Sequence, residues 1–407
     1  MVNLKNTGVH WLGEVAADWD IVPAWRIMRE RSEKSKPDDI HLTPSQAYGV
    51  ISQQEYMKLT GGKVTLNLTN PNNMKRVKAG DFVIHLRSFQ GGIEASPKGG
   101  KVSNAYTVLT PTEDAHFGYY RWFMKSNPLI EGLATLTDQL RDGQSVNYSR
   151  FSRLSLPLPP LEKQRRIADY LDRETAEIDA TVADLTKYVD LLQERRRIAI
   201  DESLADSSKN LVSLWYYSEI NPTTDDFKNI KDGDRLAFVP LDAVWADSRS
   251  DLTRTIEWNG NVSSYTPFRR GDLLSPKVTP TVFHGRSMVA DIPTRLGLAT
   301  SEVHVLRARP NAEPRWLAYL LNSARFLDQA RGAVFGVGGL QRISPGYVAS
   351  YKVPLTGLDQ QRRIADYLDG ETAKIDVLIA ESRKLRDLLL KRRSVLITDV
   401  VTGRKQV

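Results

Sequence analysis

Two long charged segments of the chain repeat apolar residues at the spacing of a coiled coil. The stripe of the first segment consists of Ile178, Val182, Leu185, Val189 and Leu192, at alternating steps of four and three residues. The stripe of the second segment consists of Ile375, Leu378, Leu385 and Leu389, with Ser382 as a polar interruption. Glu, Lys and Arg fill the other faces. The pattern predicts two long helices that pack along a shared apolar seam.

The ends of these helices are marked by helix-breaking residues. Proline steps at residues 157–160 and 354–355 come just before the two segments, and proline disfavours helix in the residue that precedes it. Gly403 is a plausible C-terminal cap. We therefore predict helices over residues 161–204 and 358–403, each a rod of about 60 Å.

The two segments belong to an internal duplication. Residues 164–179 recur as residues 361–376, and only Arg173/Gly370 and Glu177/Lys374 differ among the sixteen positions. The offset, 361 − 164 = 197 residues, is far longer than the 20–50 residues of a solenoid repeat. Each copy is long enough to be a domain, so the chain is two copies of one module.

The remainder of each copy has the pattern of short strands and short helices. In the first copy, branched and aromatic runs at 48–51, 82–86 and 105–109 predict strands, and 119–125 predicts a helix. The second copy repeats the order, with residues 269–272 answering 78–81, 315–316 answering 121–122, and 341–343 answering 144–146. We predict an α+β fold with domains at 1–157 and 206–354 and long helices at 158–205 and 355–407. Residues 206–210 are the expected linker.

Composition narrows the classes of function. The chain has 407 residues, 41% of them hydrophobic and 26% charged, as in a globular protein with two or three cored domains. It has no cysteine, which excludes disulfides and thiolate chemistry, and no apolar run long enough to span a membrane. A cytoplasmic location is the expectation. The net charge of +7 favours a polyanionic partner, although many basic proteins bind no nucleic acid.

No constellation of residues predicts covalent chemistry or a metal centre. The six histidines form no pair at metal-ligand spacing, and the Gly-Gly-Lys stretches at 61–63 and 99–101 lack the rest of a phosphate-binding loop. Asn-Pro at 70–71 and 221–222 lacks the second proline and the aromatic residue of an amino-methyltransferase site. The chain is therefore expected to bind its partners without catalysing a reaction.

Order, duplication and motifs together resemble one family, the specificity subunits of type I restriction–modification systems. Residues 11–19, with Trp11 and Trp19, look like that family's opening, and residues 156–168 are similar to its approach to the first long helix. Residues 388–403 look like its C-terminal signature. The resemblance covers nearly the whole chain. One departure is at residues 354–357, where the second copy lacks the proline pair Pro159-Pro160.

The resemblance implies two target-recognition domains, separated and held by two long antiparallel coiled-coil helices with a pseudo-two-fold repeat. It implies double-stranded DNA, two methyltransferase subunits and restriction–translocase subunits as partners. S-adenosylmethionine, ATP and Mg²⁺ are implied only for those partners, so this chain is expected to hold no cofactor. The two domains differ in loop sequence, which predicts a bipartite, asymmetric target with the helices as a ruler for the unread spacer.

Base recognition is expected in the loops that differ between the copies, because Arg and Gln are the natural readers of guanine and adenine edges. The DNA-binding candidates are Arg87, Ser88, Gln90, Lys101, Arg141, Gln144, Lys277, Thr279, His284, Arg286, Arg331, Gln341 and Arg342. For each residue alone, a phosphate contact or an ordinary surface charge is an equal alternative. Two other functions stay open: a free-standing duplicated DNA-binding regulator without enzymatic partners, and a scaffold that binds partner helices but no nucleic acid.

Overall fold

A computed structural model of the chain describes residues 2–62, 74–136, 146–205, 210–223, 225–247, 249–260, 264–336 and 340–407. The chain divides into two compact units. Unit 1 comprises Met1–Asp184 and Leu385–Val407, and unit 2 comprises Leu185–Lys384. Each unit therefore contains one mixed domain and one part of each long helix.

The described part of unit 1 consists of short strands, short helices and one long helix that continues into unit 2. The strands are β1 Leu4–Asn6, β2 Glu14–Ala16, β3 Asp20–Pro23, β4 Met28–Glu30, β5 Leu42–Ser45, β6 Gly49–Ser52, β7 Lys75–Val77, β8 Phe82–Ile84, β9 Glu94–Ala95, β10 Gly100–Val102, β11 Thr107–Pro111 and β12 Ser155–Leu158. The helices are α1 Gln53–Thr60, α2 Ser88–Gly91, α3 Phe117–Phe123, α4 Asn127–Thr135, α5 Tyr148–Phe151 and α6 Leu161–Leu204. The strands predicted at 48–51, 82–86 and 105–109 and the helix at 119–125 are confirmed, with no end shifted by more than two residues.

An antiparallel sheet in the order β4-β11-β8-β9 forms the centre of unit 1. Its strands are apolar on both faces. Phe82, Ile84 and Leu109 face a large core that also takes in Ile397 and Val400 from the C-terminal helix, whereas Val83 and Val108 face a smaller core. The end of the second long helix is therefore an integral part of unit 1.

Unit 2 repeats this arrangement and adds a second sheet. Its strands are β13 Leu211–Ser213, β14 Ser218–Ile220, β15 Arg235–Val239, β16 Thr255–Glu257, β17 Tyr265–Arg269, β18 Leu273–Pro276, β19 Met288–Val289, β20 Leu296–Thr300, β21 Val303–Ala308, β22 Val334–Phe335, β23 Arg342–Ile343 and β24 Lys352–Pro354. Its helices are α7 Pro314–Asn322, α8 Ala324–Arg331, α9 Pro345–Ser350 and α10 Leu358–Val401. The sheet β14-β21-β18-β19 matches the central sheet of unit 1, and β16-β15-β20-β17 is additional.

The two long helices begin where the sequence predicts. Helix α6 covers Leu161–Leu204 and helix α10 covers Leu358–Val401, each 44 residues long. Gly403 follows α10 with a φ of 72°, the left-handed conformation expected of a glycine cap. Of the predicted linker, residues 206–209 lie outside the described residues.

Apolar residues of α6 and α10 pack against each other within unit 2. Val189, Leu192, Ile375 and Ile379 form one buried cluster. Ile178 is also buried, in the unit 1 part of α6. The remaining predicted seam residues Val182, Leu185 and Leu389 are half-buried.

The prediction is wrong for Leu378 and Leu385, which are exposed. Continuing from Ile375 by steps of four and three residues leads to Ile379 and Ser382, both of which are buried. At 3.6 residues per turn, positions 378 and 385 lie on the flank of that stripe. Ser382 is therefore a seam residue itself and does not interrupt a leucine stripe.

A buried glutamine joins the start of α6 to the domain of unit 1. Gln164, the first residue of the duplicated segment, is fully buried. Its side-chain Nε2 donates to the carbonyl oxygens of Pro159 at 2.8 Å and Asp114 at 2.9 Å. Its Oε1 accepts from the backbone amide of His116 at 2.7 Å. One side chain thus fixes the helix to the loop that precedes α3.

Gln361 makes the same three bonds at the start of α10. Its Nε2 donates to the carbonyl oxygens of Thr356 at 2.7 Å and Asn311 at 3.2 Å. Its Oε1 accepts from the backbone amide of Glu313 at 2.8 Å. The duplicated sequence therefore encodes a duplicated attachment of helix to domain.

These attachments also fix how α3 and α7 correspond. His116 and Glu313 immediately precede α3 and α7 and lie 313 − 116 = 197 residues apart, so residues 315–316 do not answer 121–122 as predicted. At this offset Trp122 corresponds to Tyr319. The Trp122 indole donates to Asp172 of α6 at 2.8 Å, and the Tyr319 hydroxyl donates to the equivalent aspartate of α10 at 2.7 Å. The Arg-Trp pairs at 121–122 and 315–316 are identical in sequence but occupy positions that differ by three residues from the offset of the duplication.

Candidate nucleic-acid interface

The same tight turn introduces the central strand in both units. In unit 1 Gly80 has a φ of 93°, and Asp81 accepts from the Lys78 amide at 2.7 Å. Asp81 also binds Arg31 through two bonds of 2.6 and 2.9 Å. In unit 2 Gly271, Asp272 and Arg307 repeat this arrangement, with bonds of 2.9 and 2.7 Å. A fixed strand then delivers the chain into a loop, β8–β9 in unit 1 and β18–β19 in unit 2.

The β8–β9 loop presents two polar side chains to solvent. Arg87 immediately precedes the one-turn helix α2 and Gln90 lies within it, and both are exposed. Gly92 closes the loop with a φ of 85°, and a Cβ there would lie 2.3 Å from the carbonyl oxygen of Met124. The loop therefore needs a glycine at this position to lie so close to the chain after α3.

Ser88 has an internal hydrogen-bond partner and is not available to contact DNA bases. Its side chain is buried, and its Oγ accepts from the backbone amide of His85 at 2.9 Å. The prediction that Ser88 contacts DNA is contradicted, because the hydroxyl caps the loop from inside.

The buried carboxylate of Glu94 holds residues at the base of the β8–β9 loop. Glu94 is almost completely buried, and Lys125 Nζ lies 2.7 Å from its Oε1. His85 Nε2 lies 3.6 Å from the same oxygen, while its Nδ1 accepts from the Arg87 amide at 3.2 Å. Sequence reasoning missed this group, because Lys125 and Glu94 are 31 positions apart in the chain. Its effect is to hold the base of the loop that presents Arg87 and Gln90.

The remaining candidates in unit 1 are Lys101, Arg141 and Gln144. Lys101 is buried, and its Nζ donates to the carbonyl oxygen of Pro37 at 3.0 Å. The prediction that it binds DNA is therefore wrong, since its charge is used to hold a distant loop. Arg141 and Gln144 lie outside the described residues.

In unit 2 the β18–β19 loop is tied to the β22–β23 hairpin. The Thr279 amide donates to the carbonyl oxygen of Gln341 at 2.8 Å, and Thr279 Oγ1 accepts from the Gln341 amide at 3.0 Å. Both side chains are half-buried, as is Lys277. Predicted candidates from two separate stretches are thus brought together in one place.

Arg286 and Arg342 have internal partners. Arg286 is buried and donates to the carbonyl oxygens of Val244 at 2.6 Å and Leu241 at 2.5 Å, and burial lowers the pKa of its guanidinium. Arg342 binds Glu302 through bonds of 2.9 and 2.8 Å, which lowers the pKa of that carboxyl group. The prediction is contradicted for buried Arg286. Arg342 can reach DNA only by leaving Glu302.

His284 and Arg331 remain exposed in unit 2. His284 ends the short 3₁₀ helix Thr281–His284, and the Arg331 guanidinium lies 4.5 Å from the ring centre of Phe283. Stacking of this kind leaves the donor edge of a guanidinium available to a ligand. Arg331 Nε also lies 3.7 Å from Oδ1 of Asp328, in a pair that is exposed to solvent. The exposed candidates are therefore Arg87 and Gln90 in unit 1 and His284 and Arg331 in unit 2.

Two general properties follow from the described residues. No group of three or more His, Asp or Glu side chains among them is arranged to hold a metal ion. None of the described helices is long and apolar enough to cross a membrane.

Comparison with known proteins gives a consistent family. Residues 27–185 match the model described as "Type I restriction modification DNA specificity domain". The specificity subunit of the type I restriction enzyme EcoAI from Escherichia coli is 26% identical over 160 residues, or 37% of this chain. That match covers only 26% of the length of the Escherichia coli subunit.

Two solved structures share the fold over almost the full length. One comes from work on complex assembly and conformational transition of the type I restriction–modification system. It has a TM-score of 0.68 at 18% identity and covers 95% of this chain and 98% of the other. The other is the HsdS subunit from Thermoanaerobacter tengcongensis, with a TM-score of 0.51 at 17% identity and coverage of 96% and 98%. At these identities the likeness establishes the fold: mixed helix and sheet in two domains with long helices.

Proposed function

We propose that the chain is a specificity subunit of a type I restriction–modification system and serves as the DNA-recognition subunit of such a complex, because residues 27–185 match the DNA specificity domain of that family. Each unit reads one half of a bipartite target. The observation that carries this proposal is the pair of equivalent loops, β8–β9 and β18–β19. Each follows a strand that begins at the same kind of turn, in equivalent sheets of the two units, but the residues of the two loops differ. One scaffold presenting two different polar surfaces suits a target whose halves differ.

The chemistry of the exposed candidates fits base edges and phosphates. Arg87 and Gln90 have the donor and acceptor groups that recognise guanine and adenine in the major groove. His284 and Arg331 provide a different set in unit 2. Since these sets share no residue type except Arg, we infer an asymmetric target. The net charge of +7 adds an attraction to DNA that does not depend on sequence.

The long helices carry two equivalent exposed apolar stripes, which suit a partner that binds in two copies. On α6, Tyr188, Leu191 and Ile198 are exposed. On α10 the residues 197 positions later, Leu385, Leu388 and Val395, are exposed as well. Exposed apolar rows on a helix are typical of surfaces that bind another helix. We propose that each stripe binds one methyltransferase subunit, and that restriction–translocase subunits join the resulting complex.

Catalysis and cofactors belong, in this proposal, to the partners. The chain itself is non-catalytic and holds no cofactor, whereas S-adenosylmethionine, ATP and Mg²⁺ are held by the methyltransferase and translocase subunits. The long helices act as the spacer between half-sites. The proposed location is the cytoplasm, where such a complex would meet DNA.

The proposed function can be tested by reconstituting the chain with the methyltransferase subunit of the same system. Methylated sites are then sequenced in DNA treated with and without this chain. We expect methylation that depends on this chain and falls in a motif with two unlike halves around an unread gap. Affinity for a duplex carrying that motif should fall steeply with salt, because phosphate contacts release counterions.

Other results would favour the alternatives. Tight, specific binding by the chain alone, unchanged by the methyltransferase, would indicate a free-standing regulator. Affinity that ignores salt would indicate a scaffold that binds no nucleic acid.

A further inference from the structure

Each unit exposes a tryptophan on an equivalent short turn. Trp25 is the middle residue of the 3₁₀ helix Ala24–Arg26, and Trp215 is the middle residue of the 3₁₀ helix Leu214–Tyr216. The two side chains are 58% and 57% exposed. They are among the most exposed large hydrophobic residues of their units.

Backbone bonds show that the two turns are the same structural position. The Ala24 amide donates to the carbonyl oxygen of Leu154 at 2.8 Å, and the Leu214 amide donates to that of Tyr351 at 2.8 Å. Leu154 and Tyr351 are 351 − 154 = 197 residues apart, the offset of the duplication. Trp25 and Trp215 are therefore counterparts.

The first residue of each turn anchors it and the tryptophan does not. Ala24 and Leu214 are fully buried. Among the described residues, neither exposed indole takes part in a hydrogen bond, a ring stack or a cation–π contact. By contrast, Trp122 donates to Asp172, and Trp245 lies between two arginines at 3.4 and 3.7 Å. The fold therefore gives no internal reason for an indole at either turn.

The tryptophan persisted while its neighbours changed. Ala24 is replaced by Leu214 and Arg26 by Tyr216 at the corresponding positions of unit 2. An identical surface residue kept between diverged neighbours, once in each unit, points to an occupant that is the same on both sides. The two DNA half-sites are not the same under the proposed function, so base reading does not explain the indoles.

We propose that Trp25 and Trp215 are anchor residues for a protein partner that binds in two identical copies, one on each unit. The inference rests on the proposed function, under which that partner is the methyltransferase subunit. It adds a contact on each domain to the one proposed on the long helices.

The chemistry of the two patches defines the partner's surface. Trp, Tyr and Arg are the residues most enriched at the energetic centres of protein interfaces. Arg26 follows Trp25, and Arg309 is held beside Trp215 by a 3.1 Å bond to its carbonyl oxygen. Each patch thus combines an indole with a guanidinium. The matching site is an apolar pocket rimmed by carboxylates, a surface that duplex DNA does not have.

Fluorine NMR of the full chain labelled with 5-fluorotryptophan tests the occupant directly. Trp25→Phe and Trp215→Phe assign the two exposed resonances by their loss. Adding purified methyltransferase subunit should shift both resonances, and adding a DNA duplex alone should shift neither. A shift on DNA alone would overturn the proposal in favour of a nucleic-acid contact.

Binding measurements test whether the indoles contribute. Trp25→Ala should weaken one of the two methyltransferase sites about tenfold or more, and Trp215→Ala the other, so that native mass spectrometry at limiting concentration shows one subunit bound where the parent binds two. Leu59→Ala, at an exposed leucine on α1, is the matched control and should leave both sites unchanged. Since both indoles are exposed, unfolding curves of the variants should coincide with that of the parent.

The outcomes separate this inference from the proposed function. A chain that binds no methyltransferase at all would contradict the proposed function. A chain that binds two copies with equal affinity in the parent and in both alanine variants would contradict only the role of Trp25 and Trp215.

Discussion

Nε of Arg196 lies 3.1 Å from Oδ1 of Asp376, joining the two long helices within unit 2. Unit 1 has the counterpart, with Arg393 Nε 2.8 Å from Asp179 Oδ1. The two arginines are 393 − 196 = 197 residues apart, and the two aspartates are 376 − 179 = 197 residues apart. A polar pair in an apolar seam specifies register because any slip leaves charges unpaired.

The two ion pairs should differ in their contribution to stability. Side-chain exposure is 16% and 17% for Arg196 and Asp376, but 29% and 50% for Arg393 and Asp179. Arg196→Ala leaves a half-buried carboxylate without its partner, so we expect a loss of about 1.5–3 kcal/mol in the free energy of unfolding. Urea denaturation of the full chain measures it.

Arg393→Ala is the matched control at the equivalent position. Its pair is more exposed, so the expected loss is at most about 1 kcal/mol. Equal losses for the two variants would show that burial does not set the strength of these pairs.

Gln164 and Gln361 are expected to be intolerant of a carboxylate. Gln164→Glu replaces an amide that donates to two carbonyl oxygens by a group that repels them in a fully buried site. We expect a loss of about 2–4 kcal/mol in the free energy of unfolding. Gln361→Glu should do the same in unit 2. Hydrogen exchange followed by mass spectrometry can assign each loss to its unit, and a loss spread equally over both would contradict the attachment role.

The long helices show what sequence could and could not predict. Their limits were predictable because prolines precede them and because the stripe of steps four and three continues to Leu192. Leu378 and Leu385 were misplaced because α10 carries two apolar stripes, and the sequence alone does not distinguish a leucine in the buried seam from one in the exposed stripe. The offset of 197 residues identifies the correct seam position, because the residue of α10 that corresponds to Val182 is Ile379 and not Leu378.

The binding loops were harder to predict because a side chain's partner can be distant in sequence. Lys101 is held by Pro37, and Arg286 by Leu241 and Val244, through contacts that span 42 to 64 positions. Composition alone cannot distinguish such an arginine or lysine from a free one. The fold brings together Thr279 and Gln341, which were predicted from separate stretches, and their role in binding DNA stays a prediction.

Arg87 and Gln90 should affect one half of the DNA target. The double variant Arg87→Ala/Gln90→Ala removes two exposed donors of the β8–β9 loop without touching its internal bonds. Each lost base contact is expected to cost about 1–3 kcal/mol in discrimination. Methylated-site sequencing should show relaxed preference in one half-site only. His284→Ala/Arg331→Ala should relax the other half, and unchanged preference in both would exclude these loops as the readers.

Lengthening both helices together should lengthen the unread spacer. One heptad inserted after Thr181, with another after its counterpart Leu378, keeps the seam in phase and adds about 10 Å of helix. That equals about three base pairs of duplex. The methylated motif should keep both half-sites and gain spacer length. A folded, active complex with the original spacer would show that the helices do not measure it.

His304 should make unit 2 sensitive to mild acid. Its ring is buried in β21, with Nε2 2.9 Å from the carbonyl oxygen of Ile343 and Nδ1 3.2 Å from Nδ2 of Asn221. Asn221 Oδ1 accepts from the Val305 amide at 3.0 Å, so its Nδ2 faces the histidine as a donor. Nδ1 therefore accepts, Nε2 donates, and the neutral ring satisfies both partners.

Protonation would place a second N–H against the Asn221 amide. Burial lowers the pKa of His304 from its ordinary value of 6.5, the bond to the Ile343 carbonyl opposes this shift, and nearby Lys277 adds to it. A lowered folded-state pKa means that the unfolded chain takes up the proton first. The contribution to stability is thus complete above pH 6.5 and is lost as pH falls below it, by at most about 1.4 kcal/mol per pH unit. The β22–β23 hairpin, held through Ile343, should loosen together with it.

The matched variant is His304→Thr, since Thr107 occupies the equivalent position of unit 1, 304 − 107 = 197 residues earlier. Urea denaturation between pH 5 and 8 should show a pH-dependent decrease for the parent that the variant lacks. The variant should start lower at pH 8, because the carbonyl oxygen of Ile343 loses its donor, and then change less. Parallel curves for the two proteins across this range would show that the acid sensitivity arises from another group.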